Sequence, residues 1–244
     1  MGLCYHIGMN GYRKELKFIV GDDVLIDVRN RISGLMKYDV HQCGDYYRIR
    51  SVYFDSPGYS CYRENIAGVS PREKYRIRTY DCSDDPIAAE IKIRHRDTIS
   101  KMSAKIGREL FDALISDDRQ KANELLSASG NRVLEKYLAK YMAAAYRPAC
   151  IVDYERSAYV YDTCNVRITF DRNIFASREF ERFFDTGLTG LPVLDSNMHV
   201  LEVKYDEFLP YEIESVLGGM RLVRSSCSKY ALGIERLMEV YNDV

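Results

Sequence analysis

Three segments of the chain set a glutamate and a lysine two positions apart around an apolar residue: Glu15-Leu16-Lys17, Glu90-Ile91-Lys92 and Glu202-Val203-Lys204. Two residues is the strand period, so both charges of each pair share one face and the apolar residue takes the other. Arg48-Ile49-Arg50 and Arg76-Ile77-Arg78 follow the same rule, and the run from Glu90 extends it to Lys92, Arg94 and Arg96. Arginine forks grip oxyanions bidentately, lysines act as movable point charges, and glutamates are hard oxygen ligands. A face of this kind suits an anionic ligand.

Alternation ordinarily marks an antiparallel strand with its polar face in water. Such faces mix Thr, Ser, Gln and Lys, whereas here arginine, lysine and occasional glutamate dominate one parity of several strands. Cations about 6 Å apart repel by roughly 3 kcal/mol per pair at an effective dielectric of about 20. A ring of them turned inward needs compensating anions, supplied partly by strand glutamates and partly by a polyanionic ligand with a divalent metal. The pattern points to a closed, charged cavity.

The 244 residues suffice for a sizeable core and are read as a single domain over 1–244. With 35 basic and 36 acidic residues the net charge is −1, too low for a general nucleic-acid binder, although residues 72–105 are locally basic. Seven scattered cysteines without a CxxC, beside four histidines, indicate neither a disulfide framework nor a structural zinc site. There is no leader-like start and no apolar run of about 18 residues, so a cytoplasmic protein with no membrane segment is expected.

Residues 10–20 read as a first strand and about 22–37 as an amphipathic helix carrying Val24, Leu25, Val28, Ile32, Leu35 and Met36. A turn near 41–45 leads to a strand over 46–55, then to a short helix with Ser56 as cap and Pro57 in its first turn. Strands near 72–81 and 87–97 flank a turn rich in Asp and Pro, 98–106 is extended, and 107–146 is helical with breaks at Ser116-Asp117-Asp118 and Ser129-Gly130-Asn131. Strands near 149–161, 165–172 and 198–206 and terminal helices complete the chain. The expected fold is α+β, an antiparallel β-barrel with a charged interior and helices packed outside against Leu16, Phe18, Ile77, Ile91, Ile93 and Val203.

Eight strings in order, RKELKF, SVYFDS, KYRIRTY, EIKIRHRDTISK, YERSAYV, VRITFDRNI, VLEVKY and CSKYALG, span nearly the whole chain. Together they resemble the vacuolar transporter chaperone (VTC) domain, the polyphosphate polymerase branch of the triphosphate tunnel, or CYTH-like, superfamily. The resemblance implies an antiparallel tunnel that transfers the terminal phosphoryl of ATP to polyphosphate, with manganese or magnesium as cofactor and ATP and polyphosphate as partners. It assigns triphosphate binding to Arg76 and Arg78, with Lys92 on the next strand and Arg156 and Arg167 on the later hairpin. Glu202 matches the metal-holding glutamate, with Glu90 and Glu15 as further metal candidates. Ser228 and Lys229 match a phosphate-contacting pair ahead of the last helix, Lys17 the first-strand lysine, and Arg63 an arginine before the paired-arginine strand; Arg94 and Lys204 join the substrate-binding set by parity.

Hydrolytic relatives carry an ExExK signature in the first strand, but here Arg13 replaces its first glutamate, which tilts the reading toward transfer. A metal-dependent triphosphatase and a non-catalytic polyphosphate or nucleotide sensor are the alternatives. Other charges have plainer readings. The inward face of the Arg48 and Arg50 strand is open, Lys101 and Lys105 are solvated loop lysines or mouth residues, and His95 is a packing or edge histidine. Asp171 caps a turn or pairs with Arg167.

Overall fold

The computed structural model describes residues 14–241 apart from His41, Cys43 and Asp97. The expected strand start at 10–13, with Arg13, and two positions of the 41–45 turn lie outside the described residues. Strand β1 (Lys14–Gly21) leads into α1 (Asp22–Ile32), followed by β2 (Lys37–Tyr38), β3 (Tyr47–Asp55) and α2 (Ser60–Ile66). Three long strands, β4 (Arg72–Tyr80), β5 (Ile87–His95) and β6 (Thr98–Ile106), precede α3 (Arg108–Ile115), α4 (Arg119–Ser127) and α5 (Arg132–Ala143). Then come β7 (Arg147–Tyr161), β8 (Val166–Ser177), β9 (Leu191–Pro192), β10 (Met198–Tyr205), α6 (Tyr211–Gly218) and α7 (Lys229–Tyr241).

The main strands form one curled antiparallel sheet in the order β1-β10-β8-β7-β3-β4-β5-β6, with β2 and β9 attached to β7 and β8. Its two ends are not hydrogen-bonded to each other among the described residues. The curl is nonetheless deep: Lys92 on β5 reaches Glu15 on β1 at 3.4 Å, although five strands lie between them in the sheet order. Residues 224–225 run along the free edge of β1, where the Ser225 amide donates to the Lys17 carbonyl at 2.8 Å.

Apolar parity is outward, as the alternation predicts. Phe18, Ile168, Leu201 and Val203 bury against α1 and α6 residues such as Val28, Ile32 and Ile213. Ile77, Ile91, Ala104 and Ile151 belong to a larger core with Phe111, Leu126, Leu134 and Tyr137 from α3, α4 and α5. From α5 the Tyr137 hydroxyl donates to the backbone carbonyls of Arg76 and Glu90, pinning the β4–β5 pair from behind. Arg48 and Arg50 also face outward: Arg50 is fully buried, bonded to Asp153 at 2.5 Å and to the carbonyls of Phe183 and Asp185.

Two local expectations are corrected. The helix starting at Asp22 ends at Ile32, where Ser33 and Gly34 break it, and Met36 reaches the core from the following turn. The short helix begins at Ser60 rather than at Pro57, and Asp55 organises its start. The Asp55 carboxylate accepts from the amides of Ser56, Cys61 and Tyr62 and from the hydroxyls of Ser60 and Tyr230. One buried side chain therefore ties α2, by its first-turn donors, to α7.

α7 lies against the sheet where Gly233 allows close approach, since a Cβ there would sit 3.2 Å from Val152 Cγ2 and 3.3 Å from Ala176 Cβ. Tyr230 stacks on Tyr53 with ring centroids 4.9 Å apart. Replacing Asp55 by Ala strands several buried donors, so urea unfolding of Asp55→Ala is expected to show a loss of about 2–4 kcal/mol, against roughly 1 kcal/mol for Tyr230→Phe. A loss below about 0.5 kcal/mol for Asp55→Ala would refute the clamp.

Candidate functional site

The charged parity of the sheet surrounds a cavity of about 470 Å³. β4 contributes Arg72, Lys74, Arg76 and Arg78, β5 Lys92 and Arg94, β1 Glu15 and Lys17, β10 Glu202 and Lys204, and β7 Tyr154 and Arg156. Asn65 enters from α2, and residues 224–230 close one side. Eleven basic side chains and two acidic ones line this space, so the wall carries a large positive surplus in a chain whose net charge is −1.

Part of that surplus is balanced within the wall. Lys17 lies 2.8 Å from Glu15 and 3.4 Å from Glu202, and Lys204 lies 2.6 Å from the other Glu202 oxygen. Arg76 pairs with Glu90 at 2.6 Å, and Lys101 takes the second Glu90 oxygen at 2.8 Å. Asp171 accepts a two-pronged bond from Arg156, at 2.5 and 2.7 Å, and a further contact from Lys229 at 2.6 Å. Burial opposes ionisation of Glu15, but Lys17, Lys92 and Lys204 outweigh it and hold the carboxyl at about 2. Burial likewise opposes Glu202, and Lys204, Lys17 and Arg156 overcome it to hold this carboxyl well below the usual range.

Other cations have no carboxylate within ion-pair distance among the described residues. Arg78 is buried and, among the described residues, donates to the Ser51 hydroxyl at 3.0 Å and the Tyr154 hydroxyl at 3.1 Å. Arg72 and Arg94 stand opposite each other on β4 and β5, donating to the carbonyls of Val69 and Arg96. Burial, reinforced by Lys17, pushes Lys92 down to about 7 even though Glu15 opposes the shift. Arg78, Arg72 and Arg94 favour an incoming anion because little among the described residues competes for them.

Most residues singled out from the sequence meet here: Lys17, Arg76, Arg78, Lys92, Arg94, Arg156, Lys204, Ser228 and Lys229, with Glu15 and Glu202. Arg63 does not. It lies exposed on α2, and Asn65, two residues on and so on another face of the helix, lines the cavity instead. Arg167 sits beside Lys204 in the register but away from the cavity, held by Asp39 at 2.9 Å and the Tyr47 hydroxyl at 3.1 Å. Asp171 therefore pairs with Arg156 and Lys229, not Arg167.

Lys105 pairs with Asp85 at 2.5 Å and lies outside the cavity wall. Sequence reading passed over Lys74 and Arg72, which the parity rule reaches from Arg76, and the aromatic residues Tyr53, Tyr154 and Tyr230, whose abundance in strands hid them.

Among the described residues no three His, Cys, Asp or Glu side chains converge as a ready-made metal cage. Glu15 and Glu202 do turn two hard carboxylates toward one space, both next to Lys17. That donor set fits a divalent ion sharing its coordination with phosphate oxygens and water. Glu90 fits less well, because both its oxygens are taken by Arg76 and Lys101 and it does not line the cavity.

No curated protein matches the chain by sequence. Among solved structures, the fold is similar to that of a proposed adenylate cyclase from Vibrio parahaemolyticus, at TM-score 0.50 and 11% identity over 92% of this chain and 98% of that one. Others are PH1012 from Pyrococcus horikoshii OT3 (TM-score 0.47, 13% identity, 92% and 98% covered) and the Mimivirus capping enzyme triphosphatase (TM-score 0.38, 11% identity, 87% and 88% covered). The VTC domain pattern matches residues 12–238, which takes in every strand of the curled sheet and all but the end of the last helix, and the chain belongs to the VTC domain family.

Proposed function

We propose that this VTC domain is a polyphosphate polymerase, transferring the terminal phosphoryl group of ATP to a polyphosphate chain held along the cavity, with a divalent metal as cofactor. The observation that carries the reading is the wall itself, eleven basic groups against two acidic ones. A single phosphate would leave most of that charge uncompensated, whereas a run of phosphates spreads its charge along several strands. The carboxylates facing the same space supply metal ligands that a merely cationic groove would lack.

In the proposed step, a terminal oxygen of the chain attacks the γ phosphorus of ATP and forms a new P–O–P bridge. The bond from that phosphorus to the β–γ bridging oxygen breaks, and ADP leaves with the electron pair. Phosphoryl transfer asks chiefly for alignment and neutralisation of oxygen charge, so no protein nucleophile is required. Arg78, rigidly placed by Ser51 and Tyr154, presents a guanidinium to phosphate oxygens. Lys17, Lys92 and Lys204 can exchange a carboxylate for a phosphate neighbour without leaving the cavity. A divalent ion, manganese or magnesium, bound by Glu202 and Glu15 together with phosphate oxygens would neutralise charge at the transferring group. Among the described residues no helix is long and apolar enough to cross a membrane, and the reading concerns the tunnel alone.

The decisive assay incubates the protein with ATP and manganese and scores polymer on a gel and free phosphate from the same tube. Long polymer with little free phosphate is expected; free phosphate alone would mean a triphosphatase, and neither product despite tight tripolyphosphate binding would mean a sensor. Glu202→Gln should lower turnover by about a hundredfold or more with tripolyphosphate affinity largely kept, while Arg78→Ala should weaken that affinity by about ten- to a hundredfold. Unchanged turnover in Glu202→Gln would remove the metal assignment.

The ligand-free protein should also titrate in a characteristic direction. Lys92 is held at about 7 when folded against the ordinary lysine value of 10.5, so between these values the unfolded chain binds more protons. Stability in metal-free buffer should therefore rise with pH across that window and level off below it. Tripolyphosphate, by favouring the charged amine, should raise the melting temperature more at pH 7 than at about pH 10. A larger increment at the higher pH would contradict the assignment.

A further inference from the structure

Lys74 differs from the other lysines of the wall in what holds it. Its Nζ lies 2.7 Å from Asn65 Oδ1 on α2 and 2.7 Å from Ser228 Oγ just ahead of α7, both neutral acceptors. Among the described residues it has no carboxylate in ion-pair distance, unlike Lys17, Lys92, Lys204 and Lys229. The charged and titratable groups that act most strongly on it are Arg72 on its own strand, Lys92 directly opposite on β5, Lys17 from β1 and the Cys61 thiol of α2. The ring of Tyr230 lies 5.8 Å away. Burial, then Lys92, Lys17 and Arg72, push its pKa well below the ordinary lysine value, with Cys61 opposing.

A neutral amine has two N–H groups, which satisfy Asn65 and Ser228, and a lone pair left over; an ammonium has a third donor. We propose that Lys74 is a further substrate-positioning residue, an amine that takes up a proton together with the phosphate chain and offers its third N–H to a phosphate oxygen while staying bonded to Asn65 and Ser228. The inference rests on the reading that this cavity takes a run of phosphates. It makes binding proton-linked: the bound amine holds its proton to higher pH than the free one, so affinity strengthens as pH falls between the two values. It also couples the ligand to α2 and α7, the two elements that Asp55 already joins.

The test is calorimetry of tripolyphosphate binding at about pH 8 in two buffers of different ionisation enthalpy, without metal or ATP, for the wild-type protein, Lys74→Arg and Lys74→Met, with folding checked by circular dichroism. Arginine is charged throughout, so Lys74→Arg should keep the affinity within about threefold and take up fewer protons than wild type, by roughly half a proton or more. Lys74→Met should show the same drop in uptake with affinity reduced about tenfold or more. Equal proton counts in all three proteins would overturn the inference alone. No tripolyphosphate binding even by the wild-type protein would overturn it together with the functional reading. The expected counts with no polymer from ATP would leave Lys74 in its role and remove only the polymerase reading.

Discussion

Like charges brought together inside a folded chain repel strongly, and the concave face of this sheet, with residues 224–230, gathers eleven basic side chains around one space. The molecule answers with buried carboxylates placed between them: Lys17 is shared by Glu15 and Glu202, Glu90 by Arg76 and Lys101, and Asp171 by Arg156 and Lys229. Buried ion pairs are weak sources of stability, because desolvation consumes most of their attraction. Here their part is to make a cationic wall tolerable in the absence of ligand while leaving Arg78, Arg72, Arg94 and Lys74 without a carboxylate in ion-pair distance among the described residues.

That choice moves the hydrophobic core to the outside of the curled sheet. Strand residues such as Ile77, Ile91 and Val203 face helices, and the helices supply the apolar surface that a barrel interior would ordinarily provide. Helix packing is thereby tied to the site. Tyr137 of α5 holds the carbonyls of Arg76 and Glu90, so a side chain in the outer core sets the position of an inward ion pair. Asp55 performs the equivalent task at the other side, joining α2, which carries Asn65, to α7, which follows Ser228 and carries Lys229.

Parity along single strands was legible because the strand period is exact over short distances and needs no knowledge of partners. The inward course of Glu15 and Lys17, of Arg76 and Arg78, and of Glu202 and Lys204 was available from spacing alone, and Lys74 was available by the same rule. The Arg48–Arg50 strand was undecidable because its charged and apolar residues do not sort cleanly, and long-range contacts settled it when Asp153 and the carbonyls of Phe183 and Asp185 took Arg50 on the outside.

Helix faces were less legible. Arg63 and Asn65 are separated by more than half a helical turn, and which of them meets the cavity depends on how Asp55 anchors the start of α2. Partners across strands were less legible still. Glu15 with Lys92, Lys74 with Ser228 and Asp171 with Lys229 join residues 58 to 154 positions apart or across the curl, through contacts that no local period encodes. The alternation of charge and apolarity was thus settled along the chain, because side-chain direction in a strand is a local property of the backbone. Which cation remains without a carboxylate, and so stands ready for a phosphate, was settled only when the sheet curled and brought distant strands face to face.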